Sequence, residues 1–393
     1  MKKVLLGVVL VAAVLAPAAS ASRPHRVKLA VVVLPKSALG AAGRSLAVSP
    51  DSGVVSNPVA VGNAVSAHPN TFDRLGRLGG YELRYGDRYS GRPGVTEIWT
   101  GVDTYKTPAA AKRGLAFWRK DDPKITELGH YGLAVTVKAL QAAKVGSHRF
   151  AEGSTISVPN AVPLSVVDEQ FTDGPYVLHA EVAAASLYAA AHLAGKLALR
   201  LDHRLRLAEA GRLHGKPAEV PNQRDAGPPP GGPDLATLAL SSADFGGQAK
   251  IESDGYGRPS HPALSTYLLD MEPAGDFGAL SQFLDWFPTA NDASLVARFE
   301  GVEFAWVFAN GVLTGVPGQF TQVDVSAAGD NAYGAIVSIA QQGKPTVYVV
   351  VVALSSGQAG DLVLAASETP VQSSDVLSLA QLTANRLDSG LAG

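Results

Sequence analysis

Residues 225–234 read DAGPPPGGPD. The run can hold neither a helix nor a strand, because three consecutive prolines favour extended polyproline geometry and the flanking glycines keep the chain permissive. It sits between two apolar, well-patterned stretches and therefore reads as a tether. The preceding residues 214–224, HGKPAEVPNQR, are also polar and broken by proline. The expected organisation is a first α+β domain over 22–213, a linker over 214–233 and a second α+β domain over 234–393.

Composition supports two globular bodies: 393 residues with 46% hydrophobic and 17% charged residues suit two or three domains. The first 24 residues, MKKVLLGVVLVAAVLAPAASASRP, carry two lysines, an apolar stretch from Val4 to Ala16 and the small-residue pattern Ala19-Ser20-Ala21. This is the pattern of a secretory signal peptide (1–21), cleaved after Ala21. Pro17 interrupts the run before it reaches the ~20 residues of a membrane span. Removing Lys2 and Lys3 takes the formal charge from −2 to −4, which does not suggest a nucleic-acid binder. There is no cysteine, so there can be no disulfide, thiolate metal site or lipidated cysteine. A secreted or cell-envelope protein stabilised by core packing alone is expected.

The two sides of the tether share an ordered set of short matches. Leu34–Gly40 resembles Leu240–Gly246, and Gly80-Tyr81 resembles Gly255-Tyr256. Thr107-Pro108 looks like a helix cap with proline at the first helical position, and Asp276 offers a second cap. On this count Leu115, Phe117 and Trp118 fall opposite Leu284, Trp286 and Phe287. Val145–Phe150 parallels Ala328–Tyr333, and Asp173–Val177 parallels Gln342–Val347. Five matches in one order predict two divergent copies of one domain.

Periodicity predicts strands at 95–102, 264–269, 303–310, 332–340 and 346–354, and helices at 107–120, 195–209, 276–287 and 374–387. Asn310-Gly311 and Gln342-Gly343 read as hairpin turns. Val347–Leu354 is apolar at every position and is expected in the middle of a sheet, buried on both faces. The predicted fold class is α+β: two tandem copies of a mostly antiparallel sheet with helices on both faces, an α/β/α sandwich. Residues 51–81 read as an insertion in the first copy, rich in turn residues apart from a short helix near 71–78. It is read as surface decoration, with a functional loop as the alternative.

Motifs for chemistry are largely missing. The nine histidines are singletons without HExxH or HxxxH spacing, and GxSxG, SxxK and GxGxxG are absent. Residues 189–197 imitate a phosphate loop but lack its first glycine and its hydroxyl. His179-Ala-Glu181 is the tightest cluster. Alternation on a strand puts both side chains on one face, and an ordinary strand pair is favoured over zinc, which nearly always takes four ligands in structural sites. No catalytic residue, metal or cofactor is assigned.

Two features remain. Along 195–211, Leu193, Leu197, Leu201 and Leu205 form an apolar stripe, while Lys196, Arg200, Arg204 and Arg206 provide cations for contact with an anionic surface. The bland reading is a solvated helix face. Phe117 and Trp286, with Trp118 and Phe287 beside them, are predicted to form a ligand or partner surface. Packing between the two copies is favoured over a groove for an apolar ligand.

An exported α+β domain with Gly-Tyr and a capped helix ending in Phe-Trp or Trp-Phe resembles the PsbP-like group, which includes extrinsic photosystem proteins and bacterial envelope lipoproteins of the LpqN kind. Unlike those lipoproteins, this chain lacks the lipid-bearing cysteine. The resemblance implies a non-enzymatic module that binds a partner protein or an apolar ligand. The functional expectation is a secreted binding or structural protein of the envelope. The alternatives are an extracytoplasmic hydrolase of envelope sugars or esters, which should show converging acids in a polar cleft, and a surface protein holding anionic polymer through the basic helix.

Overall fold

A computed structural model describes residues 27–64, 67–272, 276–329 and 331–392; the signal-like segment and its expected cleavage after Ala21 lie outside them. Seven strands, β1 (Gly53–Val55), β2 (Arg77–Gly86), β3 (Val95–Tyr105), β4 (Ala134–Leu140), β5 (His148–Ser157), β6 (Leu164–Asp173) and β7 (Tyr176–Ala184), form one antiparallel sheet in the order β1-β2-β3-β7-β6-β5-β4. Seven more, β8 (Ile251–Gly257), β9 (Ser265–Met271), β10 (Ala279–Trp286), β11 (Gln319–Val323), β12 (Tyr333–Ile339), β13 (Val347–Ser356) and β14 (Ala359–Ser367), form a second in the order β8-β9-β10-β14-β13-β12-β11. The two orders are the same. Chain segment 212–234 carries no helix or strand and joins the two bodies.

The helices repeat as well. The first half has α1 (Leu29–Val32), α2 (Asn57–Gly62), α3 (Thr71–Leu75), α4 (Pro108–Asp121) and α5 (Leu187–Glu209); the second has α6 (Leu235–Leu238), α7 (Ala290–Ala309) and α8 (Ser373–Leu391). Helices α5 and α8 each close one face of their own sheet. Leu197, Ala198, Leu201 and Leu205 are buried in one core, and Leu379, Ala380, Thr383 and Leu387 in the other. Each fully buried leucine contributes roughly 1.5–3 kcal/mol of transfer free energy. The entry segments are tied down in the same way in both halves. The Leu34 N–H donates to Thr100 Oγ1 at 3.4 Å, and the Leu240 N–H to Gln282 Oε1 at 2.9 Å. Arg204 Nε donates to the Val32 carbonyl at 3.0 Å, and Arg386 Nε to that of Ala239 at 3.1 Å.

The expected all-buried strand is β13, interior to its sheet, with Val349–Leu354 buried. The expected matches of Leu34–Gly40 with Leu240–Gly246 and of Val145–Phe150 with Ala328–Tyr333 fall on corresponding elements. Three others shift. The expected helix at 276–287 is largely strand β10, and the expected strand at 303–310 is the end of α7. The cap equivalent to Thr107 is Thr289, whose hydroxyl accepts from the Asp292 N–H at 3.2 Å as Thr107 does from Ala110 at 3.1 Å. Strand β10 alternates Leu280, Gln282 and Leu284 inward against half-buried neighbours; Phe-Trp and Trp-Phe are thus a coincidence of composition. Gly80-Tyr81 lies on β2 and Gly255-Tyr256 on β8, which are not equivalent strands. The hairpin turn equivalent to Asp173-Gly174 is Ser356-Gly357, while Gln342-Gly343 joins β12 to β13. Asn310-Gly311 ends α7 rather than turning a hairpin, with Gly311 at φ +68°.

The insertion is the β1–β2 connection, residues 56–76, against seven residues between β8 and β9. Its α3 buries Phe72 completely, edge-on to Phe117 at 5.4 Å and against Trp118 at 5.3 Å. Phe117 and Trp118 are therefore covered by the insertion and do not meet the other copy. Trp286 lies against the tether at Gly232 instead, and Phe287 is buried with Ala293 and Val296. The two bodies meet through α7. Its Leu295, Val302, Ala305 and Trp306 share one core with Leu128, Leu133, Ile156, Leu164 and Val166 of the first half. Polar ties frame the contact: Asn291 Oδ1 accepts from the Val162 N–H at 2.8 Å, and Arg298 Nη2 donates to the Gly132 carbonyl at 3.0 Å.

Candidate functional site

The hairpin β6–β7 and its counterpart β13–β14 have identical strand and turn lengths, offset by 183 residues. Their faces toward α5 and α8 are both largely apolar. Their opposite faces are not alike. Asp168, Gln170, His179 and Glu181 of the first sheet stand where the second has Val351, Ala353, Leu362 and Leu364, all buried beneath α7.

Counting from the capping threonines explains why α4 packs less closely on the first face than α7 does on the second. Arg119 takes the place of Gly301, and Gly301 lets α7 approach Ala353 and Tyr333 so closely that an added Cβ would lie 2.6 Å from the Ala353 Cβ. Helix α4 has no such glycine there and ends at Asp121, 14 residues long against 20 in α7. A 3-10 segment, Asp122–Tyr131, follows and leads away to the contact with α7.

Register places the polar side chains in two rows across the sheet. Glu152, Asp168, Glu181, Trp99 and Arg84 are successive cross-strand partners on β5, β6, β7, β3 and β2; Phe150, Gln170, His179, Gly101 and Glu82 form the next row. The His179 ring lies edge-on to Trp99 at 4.9 Å, and the Arg84 guanidinium lies over the Trp99 ring, 3.8 Å from its centroid. Arg88 pairs with Glu97 at 2.6 Å and also with Glu181. Gln170 Nε2 donates to Asp168 and, at 3.2 Å, to Asp122.

The charge states follow from burial. Desolvation holds the Asp168 and Asp122 carboxyls well above the ordinary range, with neighbouring acids adding to it. It pushes Glu82 up to about 7 against the pull of Arg84, and Glu152 up to about 6. Glu181 is raised by burial and drawn back by Arg88. His179 is pushed down to about 4, so its ring is neutral at pH 7. Asp168 Oδ1 and His179 Nε2 are buried and have no hydrogen-bond partner among the described residues. A neutral acid able to donate, a neutral imidazole and two arginine-bound carboxylates form a hydrogen-bonding strip rather than a simple anionic patch. Among the described residues, no group of three or more acids or histidines is placed to hold a metal ion.

Glycine at 101 is required by the strip itself. A Cβ there would sit 2.2 Å from the His179 Cε1. Gly101→Ala is expected to displace the ring and to cost about 1–3 kcal/mol by overpacking. Denaturant unfolding checks this, and combining the change with His179→Ala should recover most of the loss.

The sequence-predicted site residues lie elsewhere. Arg204 is bonded to the α1 carbonyls, Arg200 to the Ala38 carbonyl, and Arg206 to Asp202 at 2.9 Å; Lys196 is exposed. Three of the four cations are thus engaged within the fold. His179-Ala-Glu181 does put both side chains on one face, as alternation requires. Asp168, Gln170, Trp99, Arg84 and Arg88 were not anticipated. The signal that marks Asp168 and Gln170 is polar alternation in a hairpin whose counterpart, Val347–Leu354, is continuously apolar; Trp99, Arg84 and Arg88 lie outside that hairpin.

No family model matches the chain, and no curated protein matches it. Among solved structures it is similar to the extracellular domain of PknH from Mycobacterium tuberculosis, at 14% identity, covering 44% of this chain and 95% of that one with a TM-score of 0.29. It is also similar to the di-domain ARO/CYC StfQ from the steffimycin biosynthetic pathway, at 9% identity, covering 80% and 97% with a TM-score of 0.16. Likeness at these scores carries no argument, and the PsbP-like resemblance gains no support from it.

Proposed function

We propose that the chain is an extracytoplasmic two-domain binding protein, with copies at 22–213 and 234–393 joined by the linker at 214–233, in which the first copy holds the ligand and the second serves as scaffold. The observation that carries this reading is the replacement of a sealed apolar sheet face by the Asp168–Gln170–His179–Glu181 strip. Leaving buried polar atoms unsatisfied costs about 1–3 kcal/mol each, a cost that a ligand supplying a donor to His179 or an acceptor to Asp168 removes. The signal-like N-terminus supports location outside the cytoplasm, and among the described residues no helix is long and apolar enough to cross a membrane. Native mass spectrometry of the protein purified from its own cells, or exposed to an extract of their envelope, tests the proposal. A retained small molecule that is lost from Asp168→Asn/Glu181→Gln is expected. A parent protein that carries none, or a variant that carries the same mass, defeats it.

One observation favours a second reading, hydrolysis of envelope sugars. Asp168 is held in its acid form beside Glu181, which Arg88 favours as the carboxylate, and glycoside cleavage uses an acid and a carboxylate in this combination. Release of reducing sugar from envelope polysaccharide, abolished by Asp168→Asn alone, would support it. Binding of the same polysaccharide without turnover would reject it.

A further inference from the structure

The two bodies are tied at a further place, where the loop after β2 meets the start of α7. His261 Nε2 donates to the Gly86 carbonyl at 3.1 Å, and Asn291 Nδ2 donates to the Tyr89 carbonyl. The Tyr89 ring packs with Phe287, Ala293, Val296 and Ala263 of the second body. Between these ties stand two acids, Asp87 of the first body and Asp292 of the second, with their carboxyls in hydrogen-bond contact. Asp87 Oδ1 accepts from the Tyr89 N–H at 3.1 Å, and Asp292 Oδ2 accepts from the Thr289 hydroxyl at 2.6 Å. Asp292 is fully buried, and its Oδ1 receives no hydrogen bond among the described residues.

We infer that Asp87 and Asp292 share one proton and so form a pH-sensitive latch between the two bodies, closed in mild acid and opened by loss of the proton. Two ionised carboxylates in contact at a buried position repel each other, whereas an acid donating to a carboxylate makes a strong, charge-assisted hydrogen bond. The proton belongs chiefly to Asp292, whose Oδ1 is free to carry it. Burial raises this carboxyl to about 7, with the Asp87 charge adding to the rise, while Asp87 is raised by burial to about 6 and drawn back by the Tyr89 N–H. The two titrate as a unit. Of the other charges that face the pair, Glu97 on β3 favours the proton and Arg92 opposes it. Arg88 is already engaged by Glu97 at 2.6 Å and by Glu181. Both carboxyls lie above the value near 4 of an unfolded aspartate, so the stabilisation is complete below about pH 4 and is lost as pH rises through about 7. The latch needs no ligand at the strip and goes beyond the binding reading.

Hydrogen exchange of the full chain at pH 5 and pH 8, corrected for the intrinsic pH dependence of amide exchange, tests it. Protection of segments 86–92 and 289–296 is expected to fall by about tenfold or more between the two, beyond any fall in α5, because a group titrated one unit past its pKa shifts the opening equilibrium by about that factor. Asp87→Asn is expected to remove most of this extra fall, since its Oδ1 still accepts from Tyr89 and its amide donates to Asp292 at either pH. Asp292→Asn, which donates in the opposite direction, should do the same. His261→Gln keeps a donor for the Gly86 carbonyl and should leave the fall in place. Equal protection at both pH values, a fall no larger than that in α5, or a fall that persists in a folded asparagine variant overturns the inference. A fall that disappears with His261 overturns it as well, by making the imidazole the sensor.

Discussion

Replacing Asp168, Gln170, His179 and Glu181 together by Val, Ala, Leu and Leu is expected to leave the fold intact, to raise its unfolding free energy by about 1–4 kcal/mol and to abolish binding. The replacements are the residues that the second sheet already carries on the same face. Exchanging buried polar and ionic groups for apolar ones of suitable shape is commonly neutral or stabilising, because desolvation offsets much of the Coulombic gain. Arg88 keeps Glu97 at 2.6 Å after the exchange, so no cation is stranded. Arg88→Ala should do the reverse. It strands Glu97 and Glu181, whose side chains are 5% and 13% exposed, at a cost of about 3–5 kcal/mol. Denaturant unfolding of both variants distinguishes a strip kept for ligand from one kept for stability. A fourfold variant that loses several kcal/mol would mean that these side chains hold the sheet together and that no ligand need be invoked.

What was legible in the sequence was what periodicity and punctuation encode locally. The interior strand β13 and the closing helices each follow from composition within one short window. The interchange of β10 and α7 did not, for a physical reason. Residues 303–310, EFAWVFAN, are aromatic and β-branched and have strand propensity, yet they continue a helix nucleated at Thr289 and packed on both sides, against its own sheet and against the first domain. Tertiary burial overrides the local preference there. The aromatic pairing of Phe117 with Trp286 failed with it, since one lies under an inserted helix and the other on a strand against the tether.

The site was half legible. Strand alternation alone places His179 and Glu181 on one face, but their importance lies in the comparison with Leu362 and Leu364, and that comparison needs the correct register between copies. Arg84 and Arg88 come from β2 and the loop after it, about 90 residues earlier in the chain, and no local pattern links them to β7.

Stability is expected to be greater at pH 5 than at pH 8, and Asp361 is one cause. It is 1% exposed, its Oδ2 accepts from Gln282 Nε2 at 2.6 Å, and its Oδ1 has no partner among the described residues. Burial pushes its carboxyl up to about 7. The folded state therefore binds this proton more tightly than the unfolded chain, whose aspartates titrate near 4. The resulting stabilisation is complete below about pH 4 and is lost as pH rises through 7, amounting to about 2–4 kcal/mol by linkage. Glu82 and Asp292, each also raised by burial to about 7, act in the same direction. His179 opposes them. Its folded value near 4 gives stability that is present above about 6.5 and lost as pH falls, but it is one group against several carboxyls that burial raises, Asp168 and Asp122 among them. The first sheet shows how the dependence can be removed, because it has Leu178 where the second has Asp361 and Thr100 where the second has Gln282. Thr100 still accepts the entry-segment N–H, as Gln282 does. Asp361→Leu/Gln282→Thr should therefore keep the Leu240 anchor, raise stability at pH 8 and flatten the fall between pH 5 and pH 8. If unfolding of the double variant remains as pH-dependent as that of the parent, Asp361 is not the group that titrates.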